Sequence, residues 1–145
     1  MSYEMKVERL INATPEEVFD AFVDGDAIKE WYRLEPNWET SVEAYDPHVG
    51  GQTSVVFGGE EKYREDITYE VLERPSRIVY EEKMGRVAMD GAEVTQVTVT
   101  FEAQDGKTLV TLVQSGFVQK ERRDMHEQGW PQFLARLDDV VASRR

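Results

Sequence analysis

Cysteine is absent from this sequence, which excludes disulfides, thiolate metal sites and a cysteine nucleophile, and leaves the redox compartment open. Basic residues are scarce. Seventeen Lys and Arg stand against 29 Asp and Glu, a net charge of -12, and no basic run interleaves with aromatics to offer a phosphate-binding stripe. Nucleic acid is therefore not an expected partner. No apolar run reaches the roughly 18 residues of a membrane span, so no membrane insertion is expected. The first residues, Met1 to Lys6, do not resemble a signal peptide, and cytoplasm is the expected location. Histidine occurs only as His48 and His126, in no metal-ligand spacing, so neither a metal nor a cofactor is expected. The pairs Gly50-Gly51 and Gly58-Gly59 lack the Lys-Ser/Thr follower of a phosphate loop and read as turns.

What is present is organised around the stretch from Glu121 to Val141. His126, Trp130, Phe133, Leu137 and Val141 follow the spacing of one helix face, with Arg123, Glu127, Gln128, Asp138 and Asp139 on the other. Such a helix needs a surface to bury its rings, and the upstream chain is rich in strand patterns. At 145 residues the chain is expected to form one domain, residues 1 to 145. Met5 to Ile11 reads as a first strand. Thr14, Pro15 and Glu17 form a capping box opening a helix to about Val23, and a shorter helix from about Ala27 to Tyr32 follows.

Strands are expected at Trp38 to Ala44, Thr53 to Phe57, Tyr63 to Val71 and Arg77 to Lys83, with a loop over 84 to 92 containing an Asp90-Gly91 turn. Tyr63, Glu65, Ile67, Tyr69 and Val71 share one face of their strand. Asp105-Gly106 between two alternating β-branched runs predicts a hairpin with Phe101 opposite Val110 and Val99 opposite Leu112. That register places Val97, Val99, Phe101, Val110, Leu112 and Gln114 on the face toward the long helix.

Five strings occur in order: Thr14-Pro15-Glu16-Glu17-Val18-Phe19, Trp31, Asp46-Pro47-His48-Val49-Gly50-Gly51, Ser115-Gly116-Phe117 and His126-Glu127-Gln128-Gly129-Trp130. Together they resemble the START-like (SRPBCC) superfamily, specifically the domain shared by the C-terminal part of the activator of heat-shock-protein-90 ATPase and many small bacterial proteins. The resemblance implies an α+β helix-grip (Bet v 1-like) fold: a curved antiparallel sheet of about six to seven strands around the C-terminal helix, enclosing a cavity. It also implies a range of roles, since the superfamily includes lipid carriers, aromatic polyketide cyclases, hormone receptors and proteins that sequester toxic small molecules. Pro131 departs from the usual pattern and predicts a bend near Glu127 to Pro131.

The expected cavity lining is Trp31, Phe57, Glu65, Ile67, Tyr69, Tyr80, Met84, Met89, Val99, Phe101, Leu112, Gln114, Phe117, Met125, His126, Trp130 and Phe133. Most of these equally suit plain core packing. His126 and Glu65 are the catalytic candidates, each weighed against a structural role. An inward Glu65 needs a partner, and Gln114, Arg64 or Arg122 are the options.

A noncatalytic domain binding an apolar or aromatic small molecule is the first functional expectation. A cyclase- or hydrolase-type enzyme using the same cavity is the second. A chaperone partner, which the resemblance raises, is the third; the eukaryotic activator carries an additional N-terminal domain, and a pull-down against the chaperone is expected to be negative. The sequence does not separate a monomer from a homodimer.

Overall fold

The computed structural model describes residues 2–86 and 93–144, so Met89 and the Asp90-Gly91 turn lie outside the described residues. Strand β1 (Tyr3–Ile11) leads into helices α1 (Pro15–Val23) and α2 (Gly25–Trp31). Six strands follow: β2 (Glu39–Tyr45), β3 (Gln52–Gly58), β4 (Lys62–Glu73), β5 (Arg77–Arg86), β6 (Glu93–Gln104) and β7 (Lys107–Phe117). Helix α3 (Lys120–Ser143) closes the chain. The strands make one curved antiparallel sheet in the order β1-β7-β6-β5-β4-β3-β2, an α+β helix-grip architecture. No helix among the described residues is long and apolar enough to cross a membrane.

Local chemistry accounts for the two short helices. Thr14 Oγ1 accepts from the Glu17 amide at 3.2 Å while Glu17 Oε1 accepts from the Thr14 amide at 3.1 Å, and Pro15 fills the first helical position. Asp24 then ends α1 and caps α2, its Oδ1 accepting from the Asp26 amide at 2.9 Å. The second helix therefore starts at Gly25, two residues before the sequence expectation. Asp24-Gly25-Asp26 reads as a stop, but it restarts the helix in a new direction.

At the hairpin, Asp105 (φ 51°) and Gly106 (φ 80°) both adopt left-handed backbone, as a two-residue turn of primed type needs. Phe101 faces Val110 and Val99 faces Leu112, the predicted register. Two expectations about the neighbouring strands are corrected. Strand β5 runs on through Met84 to Arg86, because it is paired on both sides, with Glu65 across from Met84 and Met84 across from Glu93. A bulge in β4 between Tyr69 and Val71 turns Val71 to the outer face opposite Val79, and Leu72 joins the core in its place.

Helix α3 is continuous through Pro131, and the Gln132 side-chain amide donates to the Gln128 carbonyl at 3.2 Å. Its buried line is Trp130, Leu134, Leu137 and Val141, with Phe133 on the shoulder of that line. Arg9 of β1 pairs with Asp138 at 3.1 Å and Arg144 pairs with Asp24 at 3.0 Å, which sets the helix across the sheet. Under its C-terminal half the interior is solid. Phe19 and Phe22 of α1 meet the Phe101 ring edge-on at centroid distances of 5.5 and 5.4 Å, and Trp31 packs on Phe22 at 5.0 Å.

Candidate functional site

Toward the N-terminal half of α3 the interior does not close. No residue of α1 or α2 lines this end, which is walled by β3, β4, β5, α3 and the segment after α2. The space between them is a cavity of about 90 Å³. Phe57, Tyr63 and Trp38 form one wall, with Phe57 stacked on Tyr63 at 5.8 Å and Trp38 lying 6.1 Å from Tyr63. Trp130 and Phe133, 5.8 Å apart, form the wall on α3. Met84 and Met125 complete the apolar lining, and Met125, 56 % exposed, sits at the mouth. Thioethers there make the rim adaptable. Gly129 also lines the cavity, and a Cβ placed on it would meet nothing within 4 Å.

The deep end is polar. Glu65 and Glu82 both line the cavity, yet they are only 2 % and 1 % exposed. They come from adjacent strands one diagonal step apart, since Glu65 pairs with Met84 and Ile67 with Glu82. Their carboxyls hydrogen-bond each other, and the Tyr32 hydroxyl reaches Glu65. Two ionised carboxylates could not do this: Glu65 Oε2 and Glu82 Oε2 would then have no donor. A single shared proton resolves it. Burial first, and then the charge of Glu82, pushes the Glu65 carboxyl well above the usual range. Burial also raises Glu82, with hydrogen bonds from Glu65 and Gln114 offsetting part of that, so the pair as a whole keeps one proton between its carboxyls. Tyr32 and Tyr80 are held neutral by their own burial and by the same carboxyls.

Gln114 joins this pair to the helix. Its Nε2 donates to Glu82 Oε1 at 3.0 Å and to Thr95 Oγ1 at 2.8 Å, and its Oε1 accepts from Trp130 Nε1 at 2.8 Å. His126 stands one turn before Trp130, its ring 4.9 Å from that of Phe117. Its Nδ1 donates to the Arg122 carbonyl at 2.9 Å, and its Nε2 lies 3.4 Å from Glu82 Oε1 without making a hydrogen bond. The distance suits a charge interaction; the alignment does not suit a bond.

Phe57, Glu65, Met84, Met125, His126, Trp130 and Phe133 are thus the sequence-expected residues that the fold brings to this cavity. Trp31, Ile67, Tyr69 and Tyr80 instead surround a separate void of about 10 Å³, and Trp31 spends its indole N–H on the Ala21 carbonyl at 3.0 Å. Val99, Phe101, Leu112 and Phe117 are buried core away from the lining, and Gln114 lies behind Glu82. Of the partners expected for Glu65, Arg64 points to the outer face with Glu43 and Asp66, and Arg122 lies 3.6 Å from Glu93. The acid's partners are Glu82 and Tyr32 instead. His48 is exposed and bound to Asp46 at 2.7 Å, clear of the cavity.

Sequence reasoning passed over Leu34, Trp38, Tyr63, Glu82 and Gly129 as lining residues. Glu82 was accessible to it: within the expected strand Arg77 to Lys83, Ile78, Tyr80 and Glu82 share one period-two face. Among the described residues no group of three His, Asp or Glu side chains is arranged to hold a metal ion.

The same fold recurs in solved structures. Protein CV1439 from Chromobacterium violaceum matches with a TM-score of 0.84 at 25% identity, covering 95% of this chain and 96% of that one. Protein MLL2253 from Mesorhizobium loti matches at 0.78 and 22% identity over 99% of both chains. DynU16, a protein of the dynemicin biosynthetic locus, matches at 0.76 and 20% identity, with 98% of this chain covering 48% of DynU16. Among curated proteins no sequence relative matches. The START-like fold supports a small ligand-binding domain in general. Residues 12–142 match the model of the Activator of Hsp90 ATPase homolog 1-like protein family, and the chain belongs to that family.

Proposed function

We propose that this protein binds a small apolar or aromatic molecule, without transforming it, in the cavity between the sheet and the first half of α3. The observation that carries this reading is the lining itself. Five aromatic rings and two methionines surround an opening that leads to a buried polar end, the pattern of a pocket that orients an apolar ligand by one polar group. Among the described residues no Ser, Thr or Cys lines the cavity, so no aliphatic hydroxyl or thiol nucleophile faces the space. At about 90 Å³ the closed cavity is below the ~150 Å³ that takes up benzene, so a ring enters by moving Met125 at the rim.

A thermal-shift screen of small aromatic and aliphatic compounds tests the proposal, with Gly129→Leu as the control. A ligand at 100 times its dissociation constant should stabilise the wild type by about 2.7 kcal/mol. Gly129 lines the cavity and a Cβ there meets nothing within 4 Å, so the leucine variant should fold but lose the shift. Absence of a shift with every compound class would sink the reading.

One observation favours a second reading, a cyclase- or hydrolase-type enzyme. A carboxyl pair that keeps a proton at the floor of a pocket, Glu65 with Glu82, is what a general acid requires. Turnover of a bound substrate that stops in Glu65→Gln while binding persists would establish it.

A further inference from the structure

We infer that the ligand of this cavity carries a primary ammonium group, seated against Glu65 and Glu82 and enclosed by the aromatic walls. The inference rests on the small-molecule reading above and specifies the chemistry of the ligand's polar end. Three buried acceptor atoms line that end, Glu65 Oε2, Glu82 Oε2 and His126 Nε2, and the single proton shared by the two carboxyls is the one donor available to them. Because His126 Nδ1 already donates to Arg122, its Nε2 presents a lone pair in the neutral ring. An ammonium supplies three N–H donors and a positive charge, matching three acceptors and a surplus of acid. No Lys or Arg lines the cavity among the described residues, so no resident side chain fills that role.

The walls point the same way. Trp38, Tyr63, Phe57, Trp130 and Phe133 surround the space, and ring faces attract a cation, most strongly once it is out of water. A carboxylate or phosphate ligand would meet two acids. A neutral alcohol would satisfy only one of the three acceptors.

Binding must also displace a proton. Free Glu65 and Glu82 share one, and the incoming ammonium takes over its role between the oxygens, so the proton leaves for solvent. The groups that face the pair are Tyr32 at the C-cap of α2, Tyr80 from β5, Glu93 from β6, Gln114 from β7 and His126 from α3. None of the first four carries positive charge. Affinity therefore rises with pH from the acid side until the amine itself deprotonates.

Isothermal titration of the full chain with benzylamine, benzyl alcohol and benzoate at pH 8, in phosphate and in Tris, tests this. Benzylamine is expected to bind at least tenfold more tightly than benzyl alcohol, with benzoate weakest, and its heat should differ between buffers because a proton is released. Glu65→Gln and Glu82→Gln should each erase the preference for the amine while leaving alcohol binding, and Gly129→Leu should abolish both. Equal or tighter binding of the alcohol overturns the ammonium inference and leaves the apolar pocket standing. Amine binding that survives Gly129→Leu overturns it too, since the acidic surface would then be the site. No binding of any of the three compounds overturns both the inference and the proposed function.

Discussion

The two ends of the space between sheet and α3 are built from the same helix and the same strands, yet one is solid and the other hollow. At the solid end α1 lays Phe19 and Phe22 onto Phe101, Trp31 of α2 packs on Phe22, and Leu134 and Leu137 are fully buried, leaving a void of only about 10 Å³. At the hollow end neither short helix lines the space between α3 and strands β3 to β5, and the strands there present two acids where the solid end presents Ile78 and Val99. A third layer of side chains is what separates core from pocket. The acids are tolerated because they bond to each other and to Gln114, so the hollow end holds a polar network in place of packing.

Truncation should expose the difference most clearly. Leu134→Ala at the solid end is expected to cost about 2–5 kcal/mol, whereas Phe133→Ala beside the cavity should cost about 2 kcal/mol or less, measured by urea denaturation. Equal losses would mean the hollow end is packed as tightly as the other. Trp130→Phe keeps the ring but leaves the buried Gln114 Oε1 unpaired, with an expected loss of roughly 1–3 kcal/mol. An unchanged melting curve would show that the bond contributes nothing to holding the helix.

The acid pair gives the hollow end a pH dependence that the solid end lacks. Both carboxyls are raised in the folded state, so the folded protein binds more protons than the unfolded chain. Stability from this pair is complete below the ordinary carboxyl range near 4.5 and declines as pH climbs toward the raised native values. Glu65→Gln should flatten that decline and be more stable than wild type at pH 8 by about 1–3 kcal/mol, read from denaturation at pH 5, 7 and 8. A parallel pH profile in the variant would remove the shared proton from the account. The smallest effect belongs to Gly129→Ala, which should gain up to about 1 kcal/mol from helix propensity, because its methyl enters empty space. A loss instead would mean that the cavity wall is closer than drawn.

How much of this was written in local sequence differs between the two ends. The hairpin register follows from Asp105-Gly106, and α1 follows from Thr14, Pro15 and Glu17, because turns and caps are decided by neighbours in the chain. The inward position of Glu65 was legible from alternation alone. Its partner was not: Glu82 lies inside the expected strand Arg77 to Lys83 and on the face of Ile78 and Tyr80, but the flanking charges at 81 and 83 mask the alternation there, and nothing local sets it one diagonal step from Glu65. Trp31 and Tyr69 were misplaced for the opposite reason, since an inward ring is a core ring or a pocket ring depending on which helix lies above it. Only the positions of α1 and α2 over the sheet decide that, and those are long-range facts. The bulge at Tyr69/Val71 likewise has no signature in its own residues.

The bridge from Trp130 through Gln114 to Glu82 has a consequence for motion. Apolar seats let a helix slide along its axis, because one methyl can replace another beneath it, but a directional amide can be satisfied at a single setting. The long helix is therefore fixed in its axial setting at that point, and any slide along its axis must break the amide's bonds to the helix and to the acid pair together.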